Sequence, residues 1–190
     1  MGLEIEATFI DIDKDTLRKQ LKALGGELKQ PETLMRRVIF DRGQNAFVRV
    51  RDEGNCITMS YKNVQELSLT GVQEICLEVN NYEQAIDFLR ACGLKPKAEQ
   101  ETLREEWVLD GADIDIDTWP WLPSFVEIEG KSPEAVRNIA DKLGFDMGEA
   151  HYGSVDEIYK IYYDVTNEQI NFCPEIKFTN PPEWLVAKQK

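Results

Sequence analysis

The chain has 190 residues, 42% hydrophobic and 30% charged, the composition of an ordinary soluble globular protein with room for one packed domain. Acidic residues outnumber basic ones by 35 to 22, a formal charge of −13, which argues against a nucleic-acid duplex or an anionic membrane as partner. No apolar run reaches the roughly 18 residues of a membrane span, no signal peptide is visible, and Cys56, Cys76, Cys92 and Cys173 form no CxxC pair, so the expectation is a reduced, cytoplasmic protein.

In chain order, LEIEATFI (3–10) alternates like a strand and is followed by a helix over DKDTLRKQLKALGG (13–26), with Leu17, Leu21 and Leu24 at helical spacing and Gly25 as the stop. Strands are predicted at LMRRVIFD (34–41), AFVRVRD (46–52) and CITMSYK (56–62), separated by the turn signals DRGQN and DEGN. VQEICLEV (72–79) is a further strand, and the helix after it starts at Asn81 and ends at Gly93. TLREEWVL (102–109), ADIDIDT (112–118) and SFVEIEG (124–130) complete eight strands, and the short connections favour antiparallel pairing. Ser132 caps the next helix, Pro133 takes its first position and Gly144 closes it. A last helix is expected at 154–164 with Ser154 as cap. The Pro-interrupted segment 166–190 is expected to be an extension that packs on a domain of residues 1–165 or is partly disordered.

Side chains two apart on a strand share a face. Glu4, Glu6 and Thr8 therefore oppose Leu3, Ile5, Ala7 and Phe9; Arg49 and Arg51 oppose Val48 and Val50; Lys62 opposes Tyr61. Arg104 and Glu106 face away from Leu103 and Trp107, Asp113, Asp115 and Asp117 from Ile114 and Ile116, and Glu127 and Glu129 from Val126 and Ile128. A half-solvated sheet explains such alternation in most proteins. Here the charges are sorted by strand, acids paired at matched offsets and bases grouped between them, and at least three amphipathic helices stand ready to cover the apolar faces. If the strands close into a barrel with the helices outside, the charged face becomes its interior. Paired carboxylates on a rigid strand are oxygen ligands for Mg²⁺ or Mn²⁺, and arginines and lysine bind phosphate oxygens. A polyphosphate between the two satisfies both signs, and phosphoryl transfer needs chiefly positioning and charge neutralisation.

The stretches EIEAT (4–8), FVRVR (47–51), TMSYK (58–62), LREEW (103–107) and DIDTWPWLPSFVEIEG (115–130) together resemble the CYTH, or triphosphate-tunnel, superfamily, whose hallmark is an N-terminal ExExK strand. The closing stretch is most similar to the branch of bacterial proteins like class IV adenylyl cyclases. The resemblance spans residues 3 to about 163. It implies an α+β fold, an eight-stranded antiparallel tunnel with helices outside, and metal-dependent chemistry at phosphorus on ATP, thiamine triphosphate or tripolyphosphate. By resemblance, Glu4, Glu6, Asp117, Glu127 and Glu129 hold Mg²⁺ or Mn²⁺. Arg36, Arg49, Arg51, Lys62 and Arg104 bind the phosphates, and Glu127, Glu129 and Arg104 serve catalysis. Arg36 and Arg37 are adjacent on a strand whose two faces are both polar, so which of them faces inward stays open. The chain departs from the family at Thr8, where the hallmark has lysine, and at Thr102, where a second base is common; Lys14 or metal ions are the candidates to replace the lost charge. These departures leave a second expectation open, a phosphoryl-ligand binding protein that does not turn its ligand over. His151, the single histidine, is expected in a loop or capping role.

Overall fold

The computed structural model describes residues 2–43 and 45–190; Gln44 in the first turn and the side chain of Leu3, assigned above to the apolar face, lie outside what it describes. The elements are β1 (Gly2–Glu4), β2 (Glu6–Phe9), α1 (Lys14–Ala23), β3 (Glu27–Asp41), β4 (Ala46–Asp52), β5 (Ile57–Val64) and β6 (Val72–Val79). They continue with α2 (Tyr82–Ala91), β7 (Pro96–Leu109), β8 (Ala112–Thr118), β9 (Phe125–Glu129), α3 (Pro133–Leu143), α4 (Val155–Tyr162), α5 (Asn167–Asn171), β10 (Glu175–Ile176) and α6 (Glu183–Val186).

The sheet runs β1-β6-β5-β4-β3-β7-β8-β9-β2, antiparallel at each pairing along this path. Both ends of the path are pieces of one N-terminal segment, so the curled sheet returns on itself. The single first strand expected from sequence is broken at Ile5. Glu4 pairs with Val72 of β6 on one side of the break, and Glu6 pairs with Glu129 of β9 on the other. Gly130 N donates to Ile5 O at 3.0 Å, and Glu6 N donates to Leu69 O at 3.3 Å, so the bend leaves these backbone groups partnered. The result is the expected α+β architecture of eight antiparallel strands with helices outside, joined by the short parallel β10 beside β7.

The helices form where their caps allow. Asn81 accepts from Gln84 N and Ser132 from Ala135 N, each cap worth about 1 kcal/mol. Gly25, Gly93 and Gly144 follow their helices at positive φ, where a Cβ would be strained. Ser154 departs from expectation: its hydroxyl donates to Asp156 and leaves the first turn of α4 without a side-chain cap. His151 pairs through its backbone with Thr8, covering the free edge of β2.

Alternation sends the apolar residues outward beneath the helices. Ala7, Phe9, Ile114, Ile116, Val126 and Ile128 pack against α1 and α3. Val38, Phe40 and Val50 pack under α2. Trp119, Leu122 and Phe125 meet α4, α5 and α6, so residues beyond 165 share a core with the barrel. A buried Glu105 ties α1 to β7: Arg18 Nη2 donates to it at 2.7 Å and Trp107 Nε1 at 2.6 Å. Cover is incomplete on β6, where Ile75 and Leu77 remain 45% and 53% exposed on the outer face. The expectation that helices cover every strand's apolar face fails there because α2 lies chiefly over β4 and meets β6 at its end, where Val79 packs against the α2 cluster.

Ile128 is wholly buried between β8 and α3. Ile128→Ala is expected to cost about 2–5 kcal/mol of stability, by lost burial and an unfilled cavity, read from urea denaturation.

Candidate functional site

The inward faces enclose a cavity of about 730 Å³, in the range of small-molecule sites. β1 and β2 supply Glu4 and Glu6; β3 supplies Arg37; β4 supplies Arg49 and Arg51; β5 and β6 supply Lys62 and Glu74. The other wall is Arg104 and Glu106 of β7, Asp113, Asp115 and Asp117 of β8, and Glu127 and Glu129 of β9. Residues of α4 and α5, among them Asp156 and Asn171, reach the same space.

Of the residues expected from sequence, Glu4, Glu6, Arg49, Arg51, Lys62, Arg104, Asp117, Glu127 and Glu129 all line this one cavity. Arg36 does not. It lies on the outer face, its guanidinium 4.6 Å above the Tyr82 ring and its Nε 3.1 Å from Asp52. The odd-numbered residues of β3 face inward along this part of the strand, so Arg37 takes the place expected of Arg36. Lys14 is also elsewhere, bound to Glu32 and to Thr118 Oγ1 at 3.2 Å on the outside of the barrel.

The acidic half is organised by Arg104. Its Nε donates to Asp117 Oδ1 at 2.8 Å and its Nη2 to Glu127 Oε2 at 2.6 Å, with further bonds to Asp115 and Asp117. Burial alone lowers a guanidinium pKa, yet Asp115, Asp117 and Glu127 raise that of Arg104 well above its usual value. Asp117 stays below the usual carboxylate range because Arg104 outweighs its burial, while burial lifts Asp115 to about 7 against the same arginine. Asp115 shares its inward parity with Asp117, and the resemblance implies no role for it.

Lys62 Nζ binds Glu4 at 2.7 and 2.9 Å. Burial nonetheless carries Glu4 up to about 7, and Glu6 up to about 8, where Glu127, Glu4 and Glu129 add to the effect and Lys62 opposes it. Glu129, directly opposite Glu6 in the β2–β9 pairing, is raised by burial too. Like charges facing one another across a sheet destabilise it unless something intervenes.

The basic half holds guanidinium groups in surplus. Arg37 Nη2 donates to Thr102 Oγ1 at 2.5 Å and its guanidinium stacks 4.7 Å from the Trp119 ring, so this arginine covers the position where Thr102 replaces a base. Arg49 lies 3.6 Å from Glu74. Burial and the neighbouring Arg51 push Arg49 down to about 10; burial with Arg51, Arg49 and Arg104 pushes Arg37 well below its usual value. The Nε atoms of both Arg37 and Arg49 are buried without a hydrogen-bond partner among the described residues. A buried unpartnered donor costs about 1–3 kcal/mol, more when charged, a cost that an entering acceptor oxygen would relieve.

Whether the acids suit a metal ion is decided by their chemistry. Among the described residues no three His, Cys, Asp or Glu side chains converge closely enough to hold an ion as they stand. Glu6, Glu127 and Glu129 are nevertheless hard oxygen donors on paired strands, each raised by burial and by neighbouring carboxylates, and a divalent cation would remove that repulsion. The donor set therefore fits Mg²⁺ or Mn²⁺ by type.

A sequence model of the CYTH domain matches residues 2–162. The chain belongs to the CYTH domain family. Among solved structures, this CYTH protein is similar to a candidate adenylate cyclase from Vibrio parahaemolyticus, with TM-score 0.72 and 12% identity over 84% of this chain and 98% of that one. It is similar to the PH1012 protein from Pyrococcus horikoshii OT3, with TM-score 0.68 and 20% identity over 78% and 94% of the two chains. A candidate adenylyl cyclase from Hippeastrum, described by a dominant triphosphatase activity, matches with TM-score 0.53 and 15% identity over 81% and 91%. At these identities the likeness is one of fold. No curated protein sequence matches the chain.

An acid whose value is higher folded than unfolded binds a proton on folding, so its stabilising share, present at acid pH, is lost as pH rises from about 4.5 to about 8 for Glu6. Glu6→Gln is expected to raise the melting temperature at pH 8 in metal-free buffer and to change it little near pH 4.5. Differential scanning fluorimetry at the two pH values checks this.

Proposed function

We propose that this CYTH protein binds a triphosphate together with Mg²⁺ or Mn²⁺ and hydrolyses it. The observation that carries the reading is the pair of buried guanidinium groups, Arg37 and Arg49, with unpartnered Nε atoms in a cavity whose opposite wall is acidic. Phosphate oxygens supply the missing acceptors, and bidentate contact with arginine is the natural geometry. Arg37, Arg49, Arg51 and Lys62 would orient the phosphate chain. Glu6, Glu127 and Glu129 would hold the metal, which supplies charge neutralisation and polarises a phosphoryl oxygen. Glu127 is already engaged by Arg104, so Glu129 is the freer carboxylate to orient a water molecule. The face of Trp119 is occupied by Arg37, which leaves that ring unable to stack on a nucleobase and favours recognition through the phosphates. A dominant triphosphatase activity in the Hippeastrum relative agrees with water as nucleophile.

One observation favours the second reading, a binding protein without turnover. Thr8 is buried and uncharged beside Glu127, and Arg104 is saturated by three carboxylates, so less cationic charge is free for the transition state.

Incubation with Mg²⁺ or Mn²⁺ and ATP, tripolyphosphate or thiamine triphosphate separates the two. Released phosphate supports hydrolysis. Cyclic AMP with pyrophosphate assigns a cyclase, and metal-dependent thermal stabilisation without product assigns the binding protein. Arg49→Ala is expected to weaken tripolyphosphate binding by about 10- to 150-fold, the share of one charge-assisted contact. Isothermal titration in the presence of Mn²⁺ reads that loss.

A further inference from the structure

Behind Arg51, and outside the set of residues lining the cavity, lies Glu53. It is 8% exposed and immediately follows β4, so no strand alternation marks it. Its Oε1 accepts from Arg51 Nε at 3.0 Å and lies 2.9 Å from Arg51 Nη2, and Thr58 Oγ1 donates to the same oxygen at 2.5 Å. The carboxylate has little freedom to move. Glu53 N donates to Cys56 O at 2.9 Å, and Gln30 Nε2 donates to Glu53 O at 2.7 Å. The turn is closed by Gly54 at φ +86°, whose N–H donates to Asp52 Oδ1 at 3.1 Å, and a Cβ there would stand 2.7 Å from Thr33 Cγ2.

We infer that Glu53 is a positioning residue of the anion site: it fixes Arg51 from behind and lets Arg37, Arg49 and Arg51 stay clustered without a ligand. Of the five N–H groups of Arg51, Glu53 engages those on the Nε edge and leaves the rest of the planar fork on a residue that faces the cavity. Three guanidinium groups held together repel one another, and the structure opposes two of them with a carboxylate in ion-pair range, Glu53 at Arg51 and Glu74 at Arg49. Burial lifts the Glu53 pKa, but Arg51 and the Thr58 hydroxyl bring it below the usual range, so the group is anionic at neutral pH. An acid beside a phosphate site also repels the ligand. Its presence makes sense if an aligned guanidinium contributes more than the repulsion removes, which is preorganisation in place of raw positive potential.

This inference rests on the polyphosphate reading of the cavity, and a double-mutant cycle keeps the two separable. Tripolyphosphate binding with Mn²⁺ is measured by titration calorimetry on the full chain, wild type, Glu53→Ala, Arg51→Ala and the double variant. Glu53→Gln serves as the milder change in case Glu53→Ala does not fold. The expected result is at least tenfold weaker binding in Glu53→Ala, a smaller loss in Glu53→Gln, and no additional loss from Glu53→Ala once Arg51 is alanine. If the wild type does not bind tripolyphosphate with Mn²⁺ or, in a parallel titration, with Mg²⁺, the reading of the cavity fails. If the wild type binds and Glu53→Ala (or Glu53→Gln, where only that folds) binds equally or more tightly, the positioning role fails alone. An equal loss in both Arg51 backgrounds also overturns it, by making Glu53 a general structural residue.

Discussion

Charge enclosed in a barrel must be answered by opposite charge within a few ångströms, and this requirement governs the whole molecule. In water, ions one strand apart interact by about 1 kcal/mol; with reduced solvent access the same pair is several times stronger in either sense. The protein meets the requirement locally. Arg104 gathers Asp115, Asp117 and Glu127, Lys62 holds Glu4, and Glu53 holds Arg51. What remains unanswered is informative: protonation-prone acids around Glu6 and Glu129 on one side, unpartnered guanidinium nitrogens of Arg37 and Arg49 on the other. In the function proposed above, a cation and an anion entering together would settle both.

The exterior follows from the interior. Since charged side chains dominate the inward parity of the strands, most apolar ones face out, and the core becomes a shell between barrel and helices. The segment after Val165 is part of that shell. Ile170, Cys173, Ile176 and Leu185 are buried with Phe125 and Trp119, and β10 pairs with β7 at Glu99 and Gln100. The bare stretch at Ile75 and Leu77 shows where the shell runs out of helix.

Strand parity was the most legible property of the chain. The period-two pattern of FVRVR and of SFVEIEG sorts Arg49, Arg51, Glu127 and Glu129 correctly, because the charges stand two apart and each directly follows an apolar residue that takes the other face. The same logic cannot sort Arg36 from Arg37, where two cations are adjacent; β3 also runs for 15 residues with several register shifts, and only its packing under α2 decides which one turns inward. Lys62 with Glu4, 58 residues apart, is a product of closure and has no local signal. Glu53 sits in a turn, where period carries no information, and its role depends on Arg51 and Thr58 meeting across β4 and β5. The break at Ile5 is equally silent, since an isoleucine between two glutamates reads as uninterrupted strand.

That break has a consequence of its own. Glu4 and Glu6 stand on either side of it, one on the piece that zips to β6 and one on the piece that zips to β9, so the seam of the barrel runs between two of the cavity's carboxylates. If an ion binds there as proposed, its capture and ring closure are thermodynamically linked: whatever pries the amino-terminal segment loose also parts these two carboxylates, and whatever bridges them clamps the seam.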